Sequence, residues 1–188
     1  VTLPFKEDCL GLADEVSQRV DKTKAINVLY NKKGKIFADC TDGVGLVKDL
    51  VENKNQKIKE KSILLIGAGG AARGVLPSLL EEAPKSIVVA NRTIEKAKKI
   101  VEEFGSEAYQ TSKSSNLIAS GLSFENMKDF EFDIVINATS ISTDPSQNLN
   151  LDESIFRNTS LALDLYYSQA FTPFMYLADR AKVPMISD

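Results

Sequence analysis

The chain has 188 residues, 43% of them hydrophobic and 26% charged, with a formal net charge of -3. This composition suits one large globular domain, or one domain with part of another, and the weak acidity offers no basic field for nucleic acid. Histidine is absent, which excludes Ser-His-Asp triads, His-based zinc sites and any imidazole acid or base. Proton transfer must therefore fall to Lys, Tyr, Asp, Glu or Cys. Cys9 and Cys40 are too few and too far apart for a zinc motif or a disulfide framework, so no metal is expected and the expected compartment is the reducing cytoplasm. No apolar run approaches the roughly 20 residues that a membrane span needs, and no signal peptide is read at the start. The opening VTLPFK, without an initiator Met, and the abrupt stop at Asp188 read as a piece of a longer protein, with a processed terminus as the alternative.

In chain order, Val1–Phe5 predicts a short strand running into Pro4, and Glu7–Val20 a helix with Leu10, Leu12, Ala13, Val16 and Val20 near one stripe. Ala25–Tyr30 and Lys35–Asp39 predict two strands joined by a turn at Asn31-Lys32-Lys33-Gly34. A helix is expected from Thr41-Asp42-Gly43 to about Asn53, with Val44, Leu46, Val47 and Leu50 inward and Thr41 or Asp42 as its cap. Asn53–Lys61 is a lysine-rich, solvated link.

From Ser62 the pattern alternates strand and helix. Strands are expected at 62–66, 86–90, near Ala108–Gln110, at 133–138 and at 161–165. Helices are expected at 71–82, 93–104 and 172–181, with a short one near Leu117 or Phe124–Lys128 and a polar loop from Thr139 to Asn150. Such alternation implies right-handed crossovers and an α/β fold with a doubly wound parallel sheet.

The chain is organised around Lys61–Gly74, KSILLIGAGGAARG. Ser62–Ile66 is a short β-branched run suited to a strand covered on both faces. Gly67, Gly69 and Ala72 then fit the Gly-x-Gly-x-x-Gly/Ala dinucleotide fingerprint, which closes a tight turn, lets backbone approach a pyrophosphate and keeps the helix near the sheet. The helix start at Gly70 and Ala71, with Ala68 in the turn, aims free N–H groups and a positive dipole end at phosphate. A glycine turn that merely packs a βα unit is the other reading.

The second strand of the unit ends Ala90-Asn91-Arg92-Thr93. An acidic residue there would hold a ribose 2′-OH; here Asn91 is neutral, Arg92 follows, and Lys96 lies one helical turn on. A guanidinium fork suits phosphate oxygens, so the cofactor expected is NADP. Lys98 and Lys99 read as solvated. Ahead of this unit, Lys6 follows a proline turn and Asp42 sits at a helix start, where a carboxylate is favoured. Such a pair could hold a substrate hydroxyl and move its proton as hydride moves. Taken alone, Lys6 reads more readily as a surface residue and Asp42 as a cap.

VTLPFK at 1–6, AIN at 25–27, DCTDGVGL at 39–46, GAGGAARG at 67–74, NRT at 91–93, NATS at 137–140 and DLYYSQAFTPF at 164–174 occur in the order seen in shikimate dehydrogenases, which the chain resembles over nearly its whole length. The resemblance implies residues 1–42 as the remnant of an α/β substrate-binding domain and 43–188 as a Rossmann-type NADP-binding domain. It makes Lys6 and Asp42 the catalytic pair, with Thr2, Asn27 and Tyr167 at the substrate. It places Asn91, Arg92 and Thr93 at the NADP 2′-phosphate, and Asn137, Ala138, Thr139 and Ser140 along the cofactor. The implied reaction is reversible, NADPH-dependent reduction of 3-dehydroshikimate to shikimate by a monomer or homodimer. The alternatives are a quinate-preferring relative, or a nucleotide-binding fragment or regulatory module without catalysis.

The chain departs from the family pattern in several places. Val28 replaces a usual Thr, Cys40 a usual Asn, and Ser142 a usual Gly, so the loop on the nicotinamide side is expected to differ. The family's amino-terminal Ser-x-Ser clamp and its Asp-Gly-x-x-Met-Leu-x-x-Gln segment are not in the sequence, so this chain alone could be inactive.

Overall fold

The computed structural model describes residues 1–105, 116–143, 151–168 and 170–187. The amino-terminal part opens not with a strand but with a turn closed by Phe5 N–H donating to the Thr2 carbonyl at 3.0 Å. The helix expected over 7–20 is divided. A 3-10 turn runs Asp8–Leu12, strand β1 spans Glu15–Val16, and helix α1 spans Gln18–Thr23. Ser17 causes the break: its side chain accepts from Val20 N–H as an N-cap, starting a new helix inside the apolar stripe.

Strands β2 (Val28–Lys32) and β3 (Lys35–Asp39) form the expected hairpin. Its loop is the two-residue Lys33-Gly34, both at positive φ (54° and 82°), the turn whose twist matches the strands it joins. β1 adds in parallel to β3, giving a three-stranded mixed sheet in the order β1-β3-β2. Helix α2 (Asp42–Lys48) then widens into a π-helical turn at Asp49–Asn53 rather than continuing as α. Thr41 is its N-cap by position but gives no capping bond; its hydroxyl faces Asn27 instead.

The second sheet carries β4 (Ser62–Ile66), β5 (Ser86–Asn91), β6 (Asn116–Gly121), β7 (Ile134–Asn137), β8 (Leu161–Asp164) and β9 (Met185–Ser187). Its order is β6-β5-β4-β7-β8-β9 and every pairing is parallel. The connecting helices are α3 (Gly70–Glu81), α4 (Ile94–Phe104), α5 (Phe124–Met127) and α6 (Pro173–Arg180). This is the doubly wound parallel sheet expected. The expected strand at Ala108–Gln110 lies outside the described residues, as does 144–150 of the expected loop. Leu117 is not helical: it sits in the edge strand β6, paired with Ile87. β9 was too short to read as an element, yet Ala162 pairs with Met185.

Helices on both faces explain the continuous apolar strands. Ile63, Leu65, Ile87, Val89, Ile134 and Ile136 pack on the face shared with α3 and α4. Leu64, Ile66, Val88, Ala90 and Val135 pack on the other, with Phe156 and Phe174. The period-two alternation of a strand thus divides one apolar run between two cores.

The two sheets meet through helices. α2 lies on α3 where Gly43 and Gly74 face each other: a Cβ on Gly43 would come 2.7 Å from the Gly74 carbonyl oxygen and 2.5 Å from Ser78 Oγ. In contrast, nothing lies within 4 Å of a Cβ built on Gly45. Gly43→Ala is therefore expected to lower unfolding stability by about 1–3 kcal/mol through overpacking, whereas Gly45→Ala is neutral or stabilising by up to about 1 kcal/mol. Urea unfolding of the two variants checks this; equal effects would mean that the helices are not held at this contact.

Candidate active site

The β4–α3 turn is built as the fingerprint requires. Gly67 has φ 112°, and a Cβ there would lie 2.9 Å from the Ala138 carbonyl oxygen at the end of β7. Only glycine meets both demands. Gly69 occupies the N-cap of α3 and provides no side-chain cap, so the first amides of the helix are left for a ligand. Ala72 is fully buried against the sheet.

A cleft of about 400 Å³ opens over this turn. Its floor is Gly67, Ala68, Gly69, Gly70 and Ala71; one end carries Asn91, Arg92, Thr93 and Lys96; the other carries Ala138, Thr139, Ser140 and Ile141. The two ends follow from the sheet order, because β5 and β7 flank β4 on opposite sides. A ligand crossing the carboxyl ends of these strands at the switch point must span both. Asn91 donates to the Thr93 carbonyl at 2.9 Å, which shapes the turn ahead of α4, and Arg92 and Lys96 are exposed at its rim.

Of the residues expected along the cofactor, Asn137 does not line the cleft. It is fully buried. Its amide donates to Ser142 Oγ (3.0 Å) and Asp164 Oδ1 (2.9 Å), and its oxygen accepts from Thr139 N–H (3.2 Å) and Thr139 Oγ1 (2.7 Å).

Lys6, Asp42 and Asn27 come together although they belong to a turn, a helix start and the segment before β2. The Lys6 ammonium donates to Asp42 Oδ2 in a partly buried ion pair. Asn27 Nδ2 donates to Asp42 Oδ1 at 2.7 Å and to Thr41 Oγ1 at 2.9 Å, while Asn27 Oδ1 accepts from Thr41 N–H at 2.9 Å. Both carboxylate oxygens of Asp42 are thus engaged, and the Lys6 carbonyl accepts from Ile26 N–H at 2.8 Å.

This cluster abuts the glycine turn. A Cβ on Gly70 would lie 2.8 Å from Lys6 Cβ, and one on Gly74 would lie 2.9 Å from Asp42 Oδ2. Two glycines four apart on α3 therefore admit the lysine and the aspartate to one helix face. Thr2 is exposed and Tyr167 stands 77% exposed after β8; neither joins the Lys6 cluster by a hydrogen bond among the described residues.

Several side chains around the site were not singled out from sequence. Arg73 on α3 is buried, bridging Glu7 Oε2 (3.4 Å) and Glu103 Oε2 (2.9 Å), with its guanidinium 5.8 Å from the Phe104 ring centre. It ties the residue beside Lys6 to α3 and α4. Asp164 is fully buried, and burial pushes its carboxyl above the usual range against the pull of Ser142, Thr172 and Asn137. An aspartate closing the apolar run LALD was the available signal. Burial also raises the Cys40 thiol, the setting of a small buried side chain rather than of a reactive group. Among the described residues no group of three or more His, Cys, Asp or Glu could hold a metal, and no helix is long and apolar enough to cross a membrane.

The class of protein is set by these features together: a doubly wound dinucleotide-binding fold with a Lys–Asp pair against its glycine turn. Residues 49–165 match the family model for shikimate / quinate 5-dehydrogenase, and the chain belongs to that family. It is 39% identical over its full length to shikimate dehydrogenase (NADP(+)) of Chromobacterium violaceum, covering 65% of that protein. It is 43% identical over 93% of its length to that of Colwellia psychrerythraea, covering 59%. The solved shikimate 5-dehydrogenase of Thermus thermophilus, in complex with NADP(H) and shikimate, superposes with a TM-score of 0.77 at 28% identity, over 98% of this chain and 64% of that one. The chain thus spans about three fifths to two thirds of the length of these relatives.

Asp39, at the end of β3, fixes the approach to Cys40-Thr41-Asp42. The Arg19 guanidinium holds its carboxyl below the usual range, helped by Ser17 Oγ and the Cys40 N–H against partial burial. A lowered folded-state pKa stabilises fully above the ordinary carboxylate value near ~4 and loses that contribution as pH falls through the folded value. Asp39→Asn is therefore expected to be less stable than the unaltered chain at neutral pH, with the gap closing below about pH 4. Urea midpoints at several pH values test this; a gap independent of pH would mean that the charge on Asp39 contributes nothing.

Proposed function

We propose that this chain carries the NADP site and the catalytic pair of a shikimate dehydrogenase, reducing 3-dehydroshikimate to shikimate reversibly. The observation that carries the reading is the contact between Lys6 and Gly70, which sets the Lys6–Asp42 pair against the turn that would hold the dinucleotide. The names of the relatives support the substrate and the cofactor. Residues 1–42 then form the substrate side and 43–188 the nucleotide side.

The residues present fit NADP. The uncapped α3 amides would take the pyrophosphate, and Asn91, Arg92, Thr93 and Lys96 the 2′-phosphate. When bound, the nicotinamide supplies or accepts the hydride. The Lys6 ammonium gives a proton to the carbonyl oxygen as its carbon gains hydride, turning the ketone into the alcohol; in reverse Lys6 takes that proton back. Asp42 holds the Lys6 ammonium in place and accepts a substrate hydroxyl, and Asn27 fixes the Asp42 carboxylate. Thr2 and Tyr167 would line the substrate, and both are exposed. Most of the rate gain expected is from positioning the reacting groups and from a charge placed at the developing oxyanion.

The test pairs titration with turnover in a chain of the relatives' full length. Lys6→Met is expected to abolish shikimate oxidation while leaving NADP affinity within about twofold. Arg92→Ala should weaken NADP about tenfold or more, the loss of a charge-assisted phosphate contact, with little change for NAD. Equal loss of both nucleotides in Arg92→Ala, or retained turnover in Lys6→Met, would overturn the assignment.

A further inference from the structure

We infer that Ser142 is a positioning residue for the nicotinamide half of the dinucleotide, acting through the buried Asp164. The inference rests on the NADP reading above and adds a residue to it. Asp164 closes β8 with no solvent exposure and accepts from donors on separate elements. These are Asn137 Nδ2 at the end of β7 (2.9 Å), Ser142 Oγ in the Ser140–Thr143 3-10 turn (2.6 Å), and Thr172 Oγ1 at the N-cap of α6 (2.6 Å). Asn137 also donates to Ser142 Oγ at 3.0 Å, so Asn137, Ser142 and Asp164 form a closed triangle.

One of the three donors, Ser142, lies in the segment that walls the cleft. Ala138–Ile141 form the end of the cleft on the β7 side of β4, opposite the Arg92 end. A dinucleotide whose 2′-phosphate sits at Arg92 places its nicotinamide there. Ser142 Oγ moors this segment directly to β8, beside the indirect tie through Thr139 and Asn137, while Asn137 and Thr172 keep Asp164 satisfied and β7, β8 and α6 joined without it. A fully buried side chain hydrogen-bonded to several elements fixes geometry more tightly than an exposed contact would. Ser142 therefore keeps the wall preformed, and removing its hydroxyl makes the nicotinamide half bear the ordering of that wall on binding.

The experiment measures calorimetric affinities of the unaltered chain and Ser142→Ala for NADP and for adenosine 2′,5′-bisphosphate, which lacks the nicotinamide half. Hydrogen exchange follows the 139–143 amides in parallel. The expected result is a loss of about three- to tenfold for NADP, the scale of one hydrogen bond, with the bisphosphate unchanged and faster exchange confined to 139–143. Equal weakening of both ligands, or exchange spreading through β7 and β8, would make Ser142 a general structural residue and overturn the inference. So would unchanged affinity for both. Failure of the unaltered chain to bind either ligand would overturn the NADP reading and this inference with it.

Discussion

The account depends on how closely α3 can be approached. Gly70 and Gly74 leave its face bare at two points, one filled by Lys6 Cβ and the other by the Asp42 carboxylate with Cys40 beside it. The same helix starts at the uncapped Gly69, so one element offers amides to a phosphate and a bare flank to an ion pair. A methyl group at either glycine would have to displace side chain or backbone that is itself bonded elsewhere. The Lys6 carbonyl is tied to Ile26, and Asp42 to Asn27. Nearness of the pair to the glycine turn is therefore a consequence of packing, since among the described residues no hydrogen bond joins them.

Around that contact the structure uses polar groups sparingly and always in company. Arg73 is buried between Glu7 and Glu103, linking the turn that bears Lys6 to α4. Asp164 is buried among Asn137, Ser142 and Thr172, linking β7, β8 and α6. The Asp164 node ties the Ala138–Ile141 end of the cleft to β8, and the Arg73 node ties the Lys6 turn to α3 and α4.

Much of this was legible in the sequence. The βαβ rhythm from Ser62 and the glycine fingerprint pointed to the parallel sheet, and Asn91, Arg92 and Thr93, singled out from the sequence, line one end of the cleft. The hairpin was readable, but its two-residue turn was not, because Lys33 at positive φ carries no compositional signal. The helix expected over 7–20 failed because apolar spacing cannot distinguish one helix from a 3-10 turn, a two-residue strand and a new helix capped by Ser17. The resemblance put Asn137 along the cofactor, yet the side chain is fully buried and bonded to Ser142 and Asp164, partners that nothing in the local sequence announces. Gly70 and Gly74 stood in plain view as a pair four apart, but what they admit comes from residues that are distant in sequence. Ser142 was noted as a departure, though nothing local pointed to Asp164.

The central claim is that the Lys6–Asp42 pair and the nucleotide cleft form one site. A crystal structure of the chain grown with NADP tests it most directly. The account predicts the pyrophosphate over the amides of Gly69–Ala71, the 2′-phosphate at Asn91–Thr93, and the nicotinamide ring between the 139–141 wall and the side of α3 that carries Lys6. A dinucleotide bound in the reverse sense, or with its nicotinamide directed away from Lys6, would contradict it.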